Sequence, residues 1–358
     1  MNSTYASLEV PEPILQKNGE WPWGSSSVTN TYELNEGQTW PRVTVVTPSF
    51  NQADYLEETI RSVLLQGYPN LEYIIIDGGS TDGSVDIIKH YESHLAYWVS
   101  EPDSGQANAI NKGWQRATGE YMTWLNSDDL LLPGSLFTTV SALVANKELD
   151  IVYGNAQFID SNSVMLPPPY DTMYGKPWSL SQMIVGWWNP APQQGFLMRR
   201  ELLDKIGYLD ESYHFTMDFE YWVRIAVAGG QGQWIKKLIA SFRQHPDAKT
   251  SNMQLTLTSD KFRVYEKIFE TGKIPAGYED KSIESKANLH YHGIYNSYLA
   301  DNSKLMREHL RNYLSIKGRG AFSSVWRWII LSRLSNRGLV LFRNTYRRGR
   351  KIAAAVTS

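Results

Sequence analysis

Cysteine is absent from all 358 residues, so neither a disulfide framework nor a thiolate metal site can form. This is compatible with a reducing cytosol. No apolar run approaches the roughly 20 residues of a membrane span. The nearest, VWRWIILSRL at 325–334, is short and carries two arginines. The opening residues, MNSTYASLEVPEPIL, lack the basic and long apolar segments of a secretory signal, so the expected location is cytoplasmic. No Gly-x-Gly-x-x-Gly follows the first β-branched run, VTVVT at 43–47, which argues against a dinucleotide-dependent oxidoreductase. Nor does a glycine-rich loop with a basic residue follow it to hold an incoming triphosphate, which disfavours a sugar nucleotidyltransferase.

Acidic residues are missing from one region only. Positions 317–351 hold ten basic residues and no acid, although the whole chain has a net charge of −2. The remaining 25 basic and 37 acidic residues leave the rest of the chain at −12. A basic, tryptophan-containing tail on an acidic body points to an anionic surface rather than to nucleic acid. Peripheral contact with an anionic inner membrane face through 317–351 is the expectation, and docking of the tail onto the acidic body is the alternative.

Residues 1–40 show no sustained period and read as an irregular arm. From Val43 the texture changes. VTVVT, LEYIIID (71–77), AYWVS (96–100) and YMTWL (121–125) read as strands, and helical patterns at 54–66, 85–94 and 105–117 separate them. In the first helix Leu56, Ile60, Val63 and Leu64 share one face, and Asp54 with Glu57 resembles a capping pair. Continuous apolar strands alternating with helices predict an α/β fold with a mostly parallel sheet covered on both faces.

In such sheets ligands gather at the carboxyl ends of the strands. The four loops there are PSFNQ, DGGSTD, EPDSGQ and NSDD, which contain no lysine or arginine. Acidic and small polar residues converging on one edge suit a hard divalent cation, Mg²⁺ or Mn²⁺, shared with a diphosphate. Two adjacent aspartates could instead cap the helix that follows.

The stretches VTVVTPSFNQADYLEETIRSVLLQGYPNLEYIIIDGGSTDGS and NKGWQRATGEYMTWLNSDDLLLPGSL closely resemble glycosyltransferase family 2, and the likeness runs over roughly residues 42–250. It implies a GT-A (Rossmann-like) fold, a nucleotide-diphosphate-sugar donor, a divalent metal and inversion at the anomeric carbon. NSDD stands at the family's DxD-type motif. Asp128 and Asp129 are thereby implied as metal ligands, Asp128 also as a donor contact, and Asn126 replaces the first aspartate of many members. Thr47, Pro48, Ser49, Asp77, Asp103 and Lys112 fall where the family lines its donor site. Gly78 replaces the usual partner of Asp77.

The acceptor side is implied in WWNPAPQQGFLMRRELLDKIGYLDESYHFTMDFEYWVRIA (187–226). Asp218 stands at the family's general base, while Met217 replaces its preceding glutamate. An inverting transfer needs a carboxylate to take the proton of the attacking hydroxyl; capping of its helix is the competing task for Asp218. Trp188, Gln193 and Gln194 could offer an aromatic face and amides to an acceptor sugar, with core packing as the competing task for the tryptophan. In the family's closing segment, His245 is implied near the metal or diphosphate, with Lys249 and Ser251 as phosphate contacts.

The expected organisation is an arm (1–40), a GT-A domain (41–250, divided into a nucleotide-sugar half 41–135 and an acceptor half 136–250), a helical appendage (251–316) and the basic tail (317–358). The expected activity is metal-dependent inverting transfer of a sugar to a glycan or lipid-linked glycan of the cell-surface polysaccharide type. A non-catalytic nucleotide- or glycan-binding module on the same fold is the alternative.

Overall fold

The structure, a computed structural model, describes residues 10–15, 21–23, 39–168, 171–246, 254–272 and 274–340. Lys249 and Ser251 lie outside these residues. The chain forms two compact units, Met1–Ser179 with Asn189–Ala248, and Leu180–Trp188 with Lys249–Ser358. The segment 180–188, expected within the acceptor half, therefore belongs to the second unit.

The first unit begins with β1 (Val43–Ser49), α1 (Ala53–Leu64), β2 (Leu71–Asp77), α2 (Ser84–His90), β3 (Tyr97–Ser100), α3 (Gln106–Trp114) and β4 (Tyr121–Trp124). These strands pair in parallel in the order β3-β2-β1-β4. Every residue of β1 and β4 is buried, which is why their sequences are continuous rather than alternating. Gly113 lets α3 lie directly on β1, because a Cβ there would overlap the Val46 side chain.

There follow β5 (Leu130–Leu131), α4 (Ser135–Ala145), β6 (Ile151–Ile159) and β7 (Thr172–Met173). After α5 (Leu180–Ile184) in the second unit, the chain returns as β8 (Phe196–Arg199), α6 (Leu202–Ile206), α7 (Met217–Val227) and β9 (Gly232–Arg243). The sheet order is β3-β2-β1-β4-β8-β6-β9-β5, with β7 on β6. β8 runs antiparallel to both neighbours and β5 antiparallel to β9, so the later strands make the sheet mixed.

α1 departs from the one-faced amphipathic reading. Glu57, Glu58, Thr59, Arg61 and Ser62 are buried along with its apolar residues. Glu57 does not cap its own helix. Its two carboxylate oxygens accept from the backbone N–H of Ile14 (2.6 Å) and Leu15 (2.7 Å). Arg61 donates to the carbonyls of Pro11 and Pro22. The described parts of the arm are thus fastened to α1 by charge-assisted hydrogen bonds. The start of α1 is held instead by Asp82, whose Oδ2 accepts from Ala53 N at 2.9 Å.

The second unit adds α8 (Gln254–Tyr265), α9 (Ser282–Leu299), α10 (Ser303–Lys317) and α11 (Phe322–Leu331). Ala287, Ile294, Met306, Leu310, Tyr313 and Val325 form its core, so helical packing runs past the expected boundary at 316. Asn302 caps α10 by accepting from Leu305 N at 3.0 Å. Ser285 Oγ donates to the Ile184 carbonyl at 2.6 Å, which joins α5 to α9. Among the described residues no helix is long and apolar enough to cross a membrane.

Candidate active site

The NSDD turn leaves the sheet where β4 ends. Leu125 N still pairs with Val46 O at 2.9 Å, and Asp129 N then closes a turn onto Asn126 O at 3.1 Å. Neither aspartate caps a helix, since α4 starts only at Ser135, after Gly134. The two carboxylates have different surroundings. Asp129 is fully buried, with Oδ1 accepting from Arg243 N and Oδ2 from Asn126 Nδ2, both at 3.0 Å. Burial, reinforced by the neighbouring Asp128 charge, pushes the Asp129 carboxyl well above the usual carboxylate range. The side chain of Asp128 is 19% exposed, and its Oδ2 stands 3.1 Å from His245 Nε2. Sequence positions 117 apart are brought together here.

Asn126 is the hub of this turn. Its Oδ1 accepts from Gln106 Nε2 at 2.6 Å, and its Nδ2 donates to Asp129 Oδ2 at 3.0 Å and Gln193 Oε1 at 2.9 Å. An aspartate has no N–H to give either acceptor.

Several expected donor contacts have other partners. Asp77 is buried, and its Oδ2 accepts from Gly79 N (3.1 Å), Ser80 N (2.8 Å) and Ser100 Oγ (2.7 Å). Its Oδ1 accepts from Ser80 Oγ. Asp77 thus locks the loop after β2 onto β3 rather than facing outward. The Thr47 hydroxyl pairs with Tyr73 OH at 3.0 Å inside the sheet, and Pro48 is buried in β1. Lys112 is neutralised by Glu101 at 2.7 Å. Gln193 and Gln194 are buried, not offered to an acceptor. Gln193 Nε2 donates to the Trp124 carbonyl at 3.1 Å, and Gln194 hydrogen-bonds Asp129. Both amides satisfy buried polar atoms of the NSDD turn, which would otherwise be costly. Trp188 lies in the second unit and is about half exposed.

Ser49 and Asp103 are placed differently. Ser49 Oγ is buried at the end of β1 with no hydrogen-bond partner. Asp103 is part-exposed, its Oδ1 accepting from Gly105 N at 2.8 Å. Its Oδ2 lies 2.8 Å from where a Cβ of residue 78 would stand, so Gly78 makes room for it. Phe50, 59% exposed, borders the same space.

Asp218 sits in the first turn of α7, one position into the helix, while Thr216 is the N-cap. It is therefore not the capping residue. Its Oδ2 accepts from Asn189 Nδ2 at 2.9 Å. Trp222, four residues on and on the same helix face, stacks on Trp124 with centroids 5.9 Å apart and an interplanar angle of 16°. This stack holds the face that carries Asp218 against the last residue of β4. The segment from Asn189 to Gln193 ties Asp218 to Asn126 across four peptide steps, at most about 14 Å of chain.

The profile of Glycosyl transferase family 2 matches residues 44–207. An uncharacterized glycosyltransferase of Rickettsia typhi is 32% identical over 219 residues, which is 60% of this chain and 67% of that protein. The chain belongs to glycosyltransferase family 2. The putative teichuronic acid biosynthesis glycosyltransferase TuaG of Bacillus subtilis is 48% identical over 94 residues, 25% of this chain and 36% of that one. Among solved structures, the mannosyltransferase PcManGT of Pyrobaculum calidifontis, in complex with GDP-Man and Mn²⁺, superposes with a TM-score of 0.55. It is 21% identical and covers 88% of this chain and 87% of its own, a likeness of fold. The glycosyltransferase thus has a GT-A fold and a helical C-terminal region.

The family motifs do not reveal what braces its acidic turn. Arg243, fully buried, donates through Nε to the Asp128 carbonyl and through Nη2 to Glu58 Oε2, both at 2.8 Å. Its Nη1 reaches the Asp160 carbonyl (3.1 Å) and Ser163 Oγ (2.8 Å). One side of α1 and the residues just after it continue the support. Thr59 Oγ1 donates to the Asp129 carbonyl, Ser62 Oγ accepts from Leu131 N, and Gln66 Nε2 donates to the Leu132 carbonyl. In the sequence, the one signal for Arg243 is that it stands two residues before His245.

Asp128 and His245 are the described side chains at this edge that could hold a cation. Asp128 Oδ2 and His245 Nε2 form a hydrogen-bonded pair at 3.1 Å, a spacing close to the roughly 3.0 Å between two cis ligands of an octahedral ion with bonds of about 2.1 Å. Among the described residues no group of three acidic or histidine side chains is gathered for a metal. The remaining positions would fall to phosphate oxygens and water, the usual arrangement for Mg²⁺-type sites at phosphates. Asp129, buried and hydrogen-bonded at both oxygens, fits a bracing role better than direct ligation.

Proposed function

We propose that this glycosyltransferase moves one sugar from a nucleotide-diphosphate donor to a hydroxyl of a glycan or lipid-linked glycan, with inversion and with a divalent cation. The observation that carries the reading is the 3.1 Å approach of Asp128 Oδ2 to His245 Nε2 at the carboxyl edge of the sheet. An imidazole in the ligand set favours Mn²⁺ over the harder Mg²⁺. Bound there, the cation would neutralise the charge growing on the departing diphosphate.

Asp128 and His245 would hold the diphosphate end of the donor. Phe50 and Asp103 would receive the nucleoside, the ring as a stacking face and the carboxylate as acceptor for an N–H or hydroxyl. Ser49 would add its unpaired hydroxyl. Asp218, held by Asn189, would take the acceptor proton as the hydroxyl attacks the anomeric carbon from the face opposite the leaving group. No covalent enzyme nucleophile enters this scheme. The likeness to TuaG supports an acceptor of the cell-surface polysaccharide type. Residues 317–351 would keep the enzyme peripherally on the anionic cytoplasmic face of the membrane.

The test is a panel of nucleotide sugars assayed for release of nucleoside diphosphate with Mn²⁺, with Mg²⁺ and with chelator. Release from one donor, dependent on metal and stimulated by acceptor, supports the reading. A donor that binds without any release over the whole panel would favour a binding module.

A further inference from the structure

Helix α11 carries apolar side chains on two faces, and among the described residues only one of them is packed into the core. Val325 is fully buried in the core of the second unit, and Trp328 and Ile329 pack beside it. The Trp328 ring lies 5.4 Å from that of Tyr298. Phe322, Trp326 and Ile330, four residues apart, are 54, 55 and 56% exposed. Residues spaced by four form one stripe along a helix. Three bulky apolar side chains in one stripe, each more than half exposed, mark a contact surface.

The charge around the stripe specifies the partner. The last acidic residue of the chain is Glu308, and exposed Lys317, Arg327, Arg333 and Arg337 lie on or beside α11. Arg343, Arg347, Arg348, Arg350 and Lys351 follow in the sequence. An apolar ridge containing tryptophan, bordered by one sign of charge, complements a layer that is anionic at the surface and hydrocarbon beneath. α11 is too short to span that layer, so it would lie in it.

We propose that α11 inserts Phe322, Trp326 and Ile330 among the acyl chains of an anionic bilayer while its basic neighbours meet the lipid phosphates. This rests on the peripheral membrane reading of 317–351 and names the three side chains whose burial, beyond charge, would hold the enzyme there. The two differ in their response to salt. Screening at 1 M shortens the electrostatic reach to about 3 Å, whereas burial of apolar surface persists.

The experiment is co-flotation of the full chain with phosphatidylcholine vesicles, with and without 30% phosphatidylglycerol, at 0.1 M and 1 M NaCl. Wild type is compared with Phe322→Ser/Trp326→Ser/Ile330→Ser, Trp326→Phe and Arg327→Gln/Arg333→Gln/Arg337→Gln. The expected result is binding to anionic vesicles, part of which survives 1 M NaCl. The triple serine variant loses at least tenfold in partitioning and all of the salt-resistant fraction, with an unchanged melting temperature. Trp326→Phe binds like wild type but loses the part of the quenching by brominated lipid that Trp326 supplies. If the triple serine variant floats like wild type while the glutamine variant does not, insertion is overturned and the electrostatic contact stands. If wild type fails to float on either vesicle, both membrane readings fall. If it also elutes as a dimer that the serine substitutions dissociate, the stripe is a self-association surface.

Discussion

The Asn126 amide donates to Asp129 Oδ2 at 3.0 Å, placing a neutral hydrogen-bond donor where the motif resemblance implies an aspartate. An acidic side chain at 126 would put a third negative charge into a turn whose buried carboxyl already resists ionisation. It would also strand Gln193 Oε1 without its donor.

Asn126→Asp is therefore expected to lower stability by about 1–3 kcal/mol, the range for leaving a buried acceptor unsatisfied. Its loss should ease as pH is lowered, because a protonated carboxyl can again donate. Thermal melts of wild type and variant at pH 7.5 and 5.0 check this. Equal deficits at both pH values would mean that hydrogen donation is not what the position supplies.

Arg243→Met, which leaves Glu58 buried and unpaired, is expected to cost about 3–5 kcal/mol. The pair is fully buried on both sides at 2.8 Å. Arg243→Met with Glu58→Met should recover much of that stability and little of the activity, since the Asp128 carbonyl still lacks its donor. Denaturant melts and nucleoside diphosphate release, read together, separate the two effects.

His245→Ala should raise the Mn²⁺ concentration needed for half-maximal activity by tenfold or more. Nucleotide affinity measured without metal should stay near the wild-type value. Titration calorimetry of Mn²⁺ with the nucleoside diphosphate present provides a readout independent of turnover. An unchanged metal requirement would remove the imidazole from the ligand set.

His290 and His309 meet Nδ1 to Nδ1 at 3.0 Å inside the second unit. Burial, with the charges of His309 and Lys286, pulls His290 down to about 4, and burial lowers His309 as well. Between the ordinary 6.5 and that value the unfolded chain takes up protons that the folded chain refuses, so stability falls as pH falls through the window. The melting temperature of the second unit should drop by about 2 °C or more between pH 7 and 5, taking roughly 2–4 °C per kcal/mol. The drop should shrink in His290→Asn, whose amide can replace the ring nitrogen but does not titrate.

The sheet was legible because β1, β2 and β4 are buried on both faces and so read as unbroken apolar runs. β2 spans the expected Leu71–Asp77. The resemblance to the family singled out Asp128 and His245 separately, and no local pattern links positions 117 apart, so their contact came only from the structure. Helical periodicity did not reveal that α1 buries Glu57, Glu58 and Arg61, because polar residues with tertiary partners look like a solvated face. For the same reason Asp77 and Gln193 read as ligand contacts. Their spacing locates them at the active edge, and only three-dimensional hydrogen bonding reveals that they serve the turns. Arg243 had no sequence signal beyond its place before His245.

The most direct test of the proposed chemistry is Asp218→Asn, assayed for sugar transfer and nucleotide affinity once the donor is known. The amide of this variant would keep the shape of the side chain and the contact with Asn189 while being unable to accept the proton. A fall in kcat of about 10²–10⁴-fold with little change in nucleotide affinity is expected for a lost general base. Transfer at the wild-type rate would contradict Asp218 as the base.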